Sequence, residues 1–146
     1  MSKMVTTFIG VVYPWHEYQM GHMNVQHYIG MFDGGTWNLF AEVGLTAEGM
    51  KENQRGMAAV QMNISYRKEM TSGDLVEVRS GFLKVSEKKV MFVHEMINRG
   101  TGEVTACAEM TGVMLDTTKR KSASIPQETL DKAQKLIVEY DFGRRG

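Results

Sequence analysis

The chain has 146 residues, 42% of them hydrophobic and 23% charged, which is typical of one globular domain, and we expect that domain to span residues 1–146. Its 17 basic and 17 acidic residues cancel, which argues against nucleic acid as a partner. The one cysteine, Cys107, excludes an internal disulfide and favours a reducing, cytoplasmic compartment. We expect no signal peptide, and no membrane-spanning helix because no apolar run reaches about 18 residues.

The first predicted elements are a strand and a long helix. Residues 7–13 (TFIGVVY) are rich in β-forming side chains and end at Pro14, which cannot donate to a sheet. From 23 to 43, apolar residues recur every three or four positions, which predicts a helix of roughly five to six turns. Gly44 is expected to end that helix.

Three glycines lie inside the predicted helix. Each costs roughly 0.5–1 kcal/mol relative to Ala. We therefore expect the helix backbone to approach a sheet closely at these positions, which are Gly30, Gly34 and Gly35.

The second half of the chain reads as a series of strands. Residues 45–56 are polar and predict a connection, and TSGD at 71–74 predicts a turn. Alternation of Val60, Met62, Ile64 and Tyr66 with polar residues predicts a strand. Further strands are predicted over 75–85, 90–98 and 104–115, joined by SEKK at 86–89 and by a hairpin loop at 98–103. A last helix is expected to begin at Pro126, with Ser124 as a possible cap, and to run to about Tyr140.

This order of elements predicts an α+β fold. Four antiparallel strands in a row follow one long helix, and the first strand needs the same sheet for stability. We expect one curved sheet of about five strands to wrap around the central helix, with a short helix at the end of the chain.

The order and spacing of several motifs resemble the hotdog-fold thioesterases of the 4-hydroxybenzoyl-CoA thioesterase type. The resemblance covers nearly the whole chain. The motifs that carry it are PW at 14–15, GHMN at 21–24, Tyr28 and Phe32, YRK at 66–68, GD at 73–74, LD at 115–116 and IP at 125–126.

The resemblance implies an acyl-CoA thioesterase with the hotdog fold, working as a homodimer or as a tetramer made of two dimers. The sheets of two subunits would join, with active sites between them. No cofactor is implied, since CoA is part of the substrate. One position departs from the family, which usually has an Asp three residues before the motif glycine. Here Tyr18 stands at that position, and Glu17 precedes it.

Thioester hydrolysis needs a site that stabilises the developing oxyanion. Gly21, His22 and Met23 lie where the first unpaired N–H groups of the helix are expected, and a helix start favours negative charge. The alternative is that Gly21 and Asn24 merely shape and cap the turn. His22 either hydrogen-bonds the thioester or anchors the loop, and Asn24 either orients water or caps the helix.

The reaction also needs a group that activates water or attacks the carbonyl. Glu17 is the leading candidate, with a solvated loop carboxylate as the alternative. Asp33 is the second candidate, although an acid on the polar side of a helix is more often plain surface. The five- and four-residue gaps between His16, His22 and His27 match no known zinc pattern, so no metal site is expected.

The CoA portion of the substrate needs polar and basic contacts. The chain has no phosphate-binding glycine loop of the GxxxxGK type, so a small cluster of side chains would have to serve. Solvated turn lysines are the alternative for several of these side chains. The candidates are Tyr28, Tyr66, Arg67, Lys68, Lys84, Lys88 and Lys89.

Two other functions remain open at this point. One is a hotdog hydratase or dehydratase acting on an acyl thioester, which usually needs a histidine and a carboxylate near the acyl chain. The other is a non-catalytic acyl-CoA-binding protein, which the missing Asp makes credible. The acyl group itself cannot be read from these residues.

Overall fold

The computed structural model describes residues 3–143. Its helices are α1 (Val25–Glu42), α2 (Ala47–Glu52) and α3 (Gln127–Gln134). Its strands are β1 (Val5–Val11), β2 (Arg55–Tyr66), β3 (Leu75–Val85), β4 (Lys89–Asn98), β5 (Val104–Asp116) and the short β6 (Lys121–Ser122). Within residues 3–143, no helix has the length and apolarity needed to cross a membrane.

The strands form one antiparallel sheet that wraps around α1. The order is β1-β3-β4-β5-β2, and β6 pairs with the end of β5. Apolar side chains of α1, among them Phe32 and Leu39, pack in one buried cluster with the inward-facing residues of the sheet, such as Val78, Phe82 and Met96. The expected α+β arrangement of a sheet around a central helix is confirmed.

The four predicted strands follow one another along the chain and lie in one sheet, but β2 pairs with β5 and not with β3, its neighbour in sequence. From β3 onward, consecutive strands pair with each other: β3 with β4, β4 with β5, and β5 with the short β6. The segment 67–74 carries the chain from one side of the sheet to the other: Arg67 N–H donates to Thr105 O on β5, and Gly73 N–H donates to Val12 O beyond β1. This segment passes the beginning of α1.

Several predicted boundaries also need correction. The expected connection 45–56 contains α2, whose first turn is capped by the Thr46 side chain accepting from Gly49 N–H. The last helix ends at Gln134, well before Tyr140. Ser124 does not cap it, because its hydroxyl donates to Glu87. Sequence periodicity could not reveal these local hydrogen bonds, which decide where short elements start and stop.

The glycines of α1 differ in their surroundings. A Cβ at Gly35 would lie 3.0 Å from Thr7 Oγ1, 3.3 Å from Val78 and 3.4 Å from His94, so α1 approaches the sheet most closely there. A Cβ at Gly34 would lie 3.1 Å from the Phe8 ring, whereas Gly30 has open space. The predicted close approach is therefore confirmed at Gly34 and Gly35 and is wrong at Gly30.

A buried chain of hydrogen bonds ties α1 to the sheet at this point. His94 is fully buried; its Nδ1 lies 2.5 Å from Ser80 Oγ and its Nε2 lies 2.7 Å from Thr36 Oγ1 on α1. Ser80 in turn lies 2.7 Å from Thr7 Oγ1. The Thr36 hydroxyl donates to the Phe32 carbonyl, so the Nε2 of a neutral imidazole carries the proton and donates to Thr36. Burial lowers the pKa of His94 to about 3.

The last described residues pack on the outer face of the sheet. Phe82 N–H donates to Leu136 O, and Val138 N–H donates to Phe82 O. The Val138 side chain fills the space over Gly81, where a Cβ would lie only 2.8 Å from it. Tyr140 donates to Glu95 on β4 at 2.7 Å. We call residues 135–143 the C-terminal tail.

We predict that His94 makes the protein less stable as pH falls from about 6.5 to about 3, because the unfolded chain takes up a proton that the folded chain excludes. One such site contributes up to about 1.4 kcal/mol per pH unit to the unfolding free energy in this window. His94→Gln should flatten the curve of urea unfolding free energy against pH between pH 4 and 6. His27→Gln, at a partly exposed position of α1, is the control. Parallel curves for His94→Gln and the unchanged protein would contradict the prediction.

Candidate active site

A small hairpin precedes α1. Glu17 and Met23 form an isolated antiparallel bridge, and Tyr18 N–H donates to His22 O. Gly21 closes the turn with a φ of +80°, in the left-handed region that glycine adopts readily. Residues 17–23 therefore form a hairpin that leads directly into the start of the helix.

This hairpin determines which N–H groups remain free. Gly21 N–H donates to Tyr18 O, Met23 N–H to Met70 O at 2.7 Å, and Asn24 N–H to His16 O. The expectation that Gly21 and Met23 present unpaired N–H groups is therefore wrong. Of the backbone N–H groups at residues 21–25, those of His22 and Val25 have no acceptor among residues 3–143.

Asn24 is the N-cap of α1, and its side chain accepts from Gln26 N–H at 3.0 Å. Val25 is accordingly the first residue of the helix, with its N–H at the positive end of the helix dipole. A carbonyl oxygen that becomes negative would be stabilised there.

A groove of about 260 Å³ lies between the start of α1 and the end of β2. It brings together six of the thirteen predicted site residues. We call it the α1 groove, and its lining residues are His22, Met23, Val25, Tyr28, Tyr66, Arg67, Lys68 and Glu69.

His22 has two polar neighbours at the edge of the groove. Its Nε2 lies 3.3 Å from the Tyr18 hydroxyl and 3.6 Å from Glu69 Oε1. The His22 side chain is 21% exposed and that of Glu69 is 73% exposed, so solvent weakens their attraction. The arrangement still provides an imidazole with a carboxylate that can stabilise its protonated form.

Two tyrosines form one wall of the groove. Their rings meet edge to face with centroids 5.1 Å apart. Burial raises the pKa of Tyr28, and Tyr66 and Glu69 raise it further; burial also raises the pKa of Tyr66. Both side chains are therefore neutral phenols near pH 7.

The two basic residues of the groove already have partners in the protein. Arg67 Nη2 donates to the carbonyl of Phe142 in the C-terminal tail and lies 3.4 Å from Cys107 Sγ. Lys68 Nζ lies 3.4 Å from Glu103 in an exposed ion pair. The tail therefore fixes the position of Arg67 at the rim of the α1 groove.

Glu17 lies beside the groove but not in its lining. Its Oε2 accepts from Ser72 N–H at 2.9 Å, so the carboxylate holds the 71–74 turn against the hairpin. This side chain is half-buried and has no ion pair among residues 3–143. Its role as the catalytic base stays a prediction.

Other predicted site residues lie elsewhere in the protomer. Lys89 faces Val113 on β5, whereas Arg67 binds Thr105, eight residues and about 27 Å away along that strand. Lys88 and Lys84 share the Lys89 end of the sheet, so one chain does not bring these lysines to the α1 groove. The register of the strands decides which residues come together, and the positions of the lysines in the sequence do not indicate that register.

Asp33 lies on α1 at the mouth of a separate cavity, which Trp37 also lines.

Sequence reasoning missed two components of the groove. Glu69 directly follows the YRK motif, and its position there was a usable signal. Val25 contributes a backbone group, which follows from recognising Asn24 as the cap. Within residues 3–143, no cluster of three or more His, Cys, Asp or Glu side chains is arranged to hold a metal ion.

Comparison with known proteins places these features in context. Residues 13–133 match the family model described as the thioesterase-like superfamily. A curated relative, betainyl-CoA thioesterase from Pseudomonas aeruginosa, is 26% identical over 141 residues, covering 96% of this chain and 88% of the relative.

Solved structures show the same fold. A hypothetical protein from Staphylococcus aureus, determined in complex with CoA, has a TM-score of 0.85 at 14% identity, covering 97% of this chain and 92% of its own. A 1,4-dihydroxy-2-naphthoyl-CoA thioesterase from Synechocystis has a TM-score of 0.81 at 16% identity, covering 92% and 98%. The expected hotdog fold is confirmed.

We predict that Asn24 acts on the stability of the protein through its cap. Asn24→Ala should lower the unfolding free energy by about 1 kcal/mol, because Gln26 N–H loses its acceptor. Asn24→Ser should keep most of the unfolding free energy of the unchanged protein, since serine also caps helices well. Urea unfolding measures both variants. Equal stability of the alanine and serine variants would contradict the capping role.

Proposed function

Because the chain belongs to the thioesterase-like superfamily, we propose that it hydrolyses an acyl-CoA to the free acid and CoA in the α1 groove. The observation that carries this proposal is the unpaired N–H of Val25 at the start of a long helix, inside a groove that also holds His22 and Glu69. The likeness to a chain determined with CoA, and to relatives named as thioesterases, supports the same activity.

In the proposed mechanism, the thioester carbonyl oxygen accepts from Val25 N–H, with the helix dipole behind it. A water oxygen attacks the carbonyl carbon while one of its protons passes to His22 Nε2. Glu69, 3.6 Å away, stabilises the imidazolium that forms. The tetrahedral oxyanion then collapses, the carbon–sulfur bond breaks, and His22 returns the proton to the CoA sulfur. Water is the only other reactant, and CoA belongs to the substrate.

Tyr28 and Tyr66 are proposed to contact the pantetheine arm, and Arg67 and Lys68 the phosphates of CoA. Their place on the rim of the groove supports this role. Buried Cys107 supports a reducing, cytoplasmic location as part of the proposal.

We propose in addition that two copies join through β2. This strand is at an edge of the sheet, is twelve residues long and has exposed apolar side chains: Val60 is 59% exposed and Met62 is 38% exposed. A long apolar edge strand is a template for another chain. A twofold contact along it gives a homodimer, and the C-terminal tail on the outer face of the sheet disfavours stacking such dimers sheet to sheet into a tetramer.

The first test removes the Val25 N–H without removing the helix. Proline is well tolerated at the first helical position, and Asn24 already has φ −70° and ψ 145°, which suits a residue before proline. Val25→Pro should lower kcat for acyl-CoA hydrolysis by about 10²–10³, whereas Val25→Ala, which keeps the N–H, should stay close to the unchanged protein. Thiol release across a panel of acyl-CoAs is the measurement, with circular dichroism to confirm the helix.

The same assay assigns the base. His22→Asn should lower kcat by about 10²-fold or more if His22 transfers the proton, and Glu69→Gln should cause a smaller loss. Glu17→Gln tests the competing carboxylate. A large loss with Glu17→Gln and none with His22→Asn would reassign the base to Glu17. Absence of thiol release with every acyl-CoA, together with water addition to an enoyl-CoA, would favour the hydratase.

The dimer is tested by one charge on each of the two edge strands of the sheet. Met62 lies on β2, at the centre of the proposed contact, whereas Ile9 lies on β1 at the opposite edge and is 61% exposed. Met62→Lys should shift the protein to a monomer in light scattering coupled to gel filtration, because an exposed apolar contact is replaced by charge. Ile9→Lys is the matched control and should remain dimeric. A monomeric unchanged protein would refute the proposed dimer.

A further inference from the structure

A compact cavity outside the α1 groove is lined by aromatic rings and by one carboxylate. It has a volume of about 90 Å³ and lies between α1 and the β2–β5 side of the sheet. Phe40, Phe92 and Met110 are buried at its base, and Trp37 and Asp33 stand at its mouth. We call it the Asp33 pocket.

Asp33 places a negative charge at the mouth of this pocket, and no positive side chain of the lining balances it. Its lining contains no Lys, Arg or His, and Asp33 is its one ionisable side chain. Asp33 has no ion pair or hydrogen bond through its carboxylate with any other of residues 3–143. A carboxylate beside buried aromatic rings favours a ligand that is positively charged and also easily desolvated.

Aromatic faces bind cations through their quadrupoles, with tryptophan the strongest, and quaternary ammonium groups are the ligands best suited to such sites. The pocket volume of about 90 Å³ is about a third of the 260 Å³ of the α1 groove, which suits a compact group. The chemistry of the pocket therefore fits a small alkylammonium.

Within one protomer the pocket is far from the oxyanion position. Asp33 follows Val25 by eight residues, about 12 Å along the helix at 1.5 Å per residue. A short acyl group held at Val25 cannot span that distance.

The proposed β2 dimer removes this difficulty. In an antiparallel twofold pairing centred on Met62, with the bulge between Ala59 and Gln61 leaving Val60 unpaired, Tyr66 of one subunit lies opposite Met57 of the partner subunit. Tyr66 lines the α1 groove, and Met57 lines the Asp33 pocket. Such a pairing sets the groove of each subunit beside the pocket of the other.

We infer that the Asp33 pocket selects acyl groups that end in a compact cation, with Asp33 as the specificity-determining residue, and that it serves the α1 groove of the partner subunit. This inference rests on the proposed thioesterase function and dimer.

Two acyl-CoAs of the same shape and different charge test the inference. Betainyl-CoA ends in a trimethylammonium group, and 3,3-dimethylbutanoyl-CoA replaces its nitrogen by carbon. The unchanged enzyme should hydrolyse the cationic substrate with a kcat/KM at least about tenfold higher. Asp33→Asn should remove most of that preference by lowering kcat/KM for the cation and leaving the neutral substrate within about threefold. Glu42→Gln, an exposed acid on the same helix outside the pocket, should leave the preference intact.

Several outcomes would overturn the inference. Equal kcat/KM for both substrates with the unchanged enzyme would show that the pocket does not read charge. Equal losses for both substrates in Asp33→Asn would make Asp33 part of the catalytic step. If the unchanged protein hydrolyses neither substrate, the thioesterase proposal fails, and the Kd values of both acyl-CoAs, measured by calorimetry, then test the pocket by itself. Tighter binding of betainyl-CoA that Asp33→Asn abolishes would support the pocket. Equal Kd values for the two acyl-CoAs would refute it.

Discussion

The close approach of α1 to the sheet at Gly35 is the constraint on which the rest of the site depends. No side chain larger than hydrogen fits between the helix and Thr7, Val78 and His94 without displacing them. The buried hydrogen bonds from Thr36 through His94 to Ser80 then fix how far the helix is rotated and displaced. Because the side-chain polar atoms of Thr36, His94 and Ser80 all have partners, this buried network favours one position of the helix. That arrangement places the start of α1 beside the end of β2.

The chemistry at the start of α1 depends on which backbone N–H groups already have an acceptor within the protein. The hairpin before α1 and the 67–74 crossing occupy the N–H groups of Gly21, Met23 and Asn24. Val25 is left unpaired because Asn24, as N-cap, turns its side chain to Gln26 instead. The GHMN motif thus serves mainly to build the turn, while the residue after it has the free N–H that we propose binds the reacting carbonyl.

Much of the fold follows from the sequence, because periodicity records which face of each element is buried. The period of α1, and the turns predicted between β3, β4 and β5, placed those elements within about two residues. The order of the strands in the sheet was harder to predict. No local sequence pattern indicates that β2 pairs with β5, because this pairing depends on segment 67–74, which carries the chain to the other side of the sheet. In the site, His22, Tyr28, Tyr66 and Arg67 were predicted to act together and share one groove. Glu69 and Val25 were missed, because the signal for each lies in a neighbour, the YRK motif for Glu69 and the Asn24 cap for Val25, and not in the residue itself.

The C-terminal tail has a consequence for how this scaffold could be altered. Because the Phe142 carbonyl accepts a hydrogen bond from Arg67, the C-terminal tail holds in place a residue at the rim of the α1 groove. The tail is itself held by Tyr140, which donates to Glu95, and by Val138, which packs over Gly81. Replacing residues 135–143 would therefore change the rim of the groove from the opposite face of the sheet, without any substitution in the groove itself.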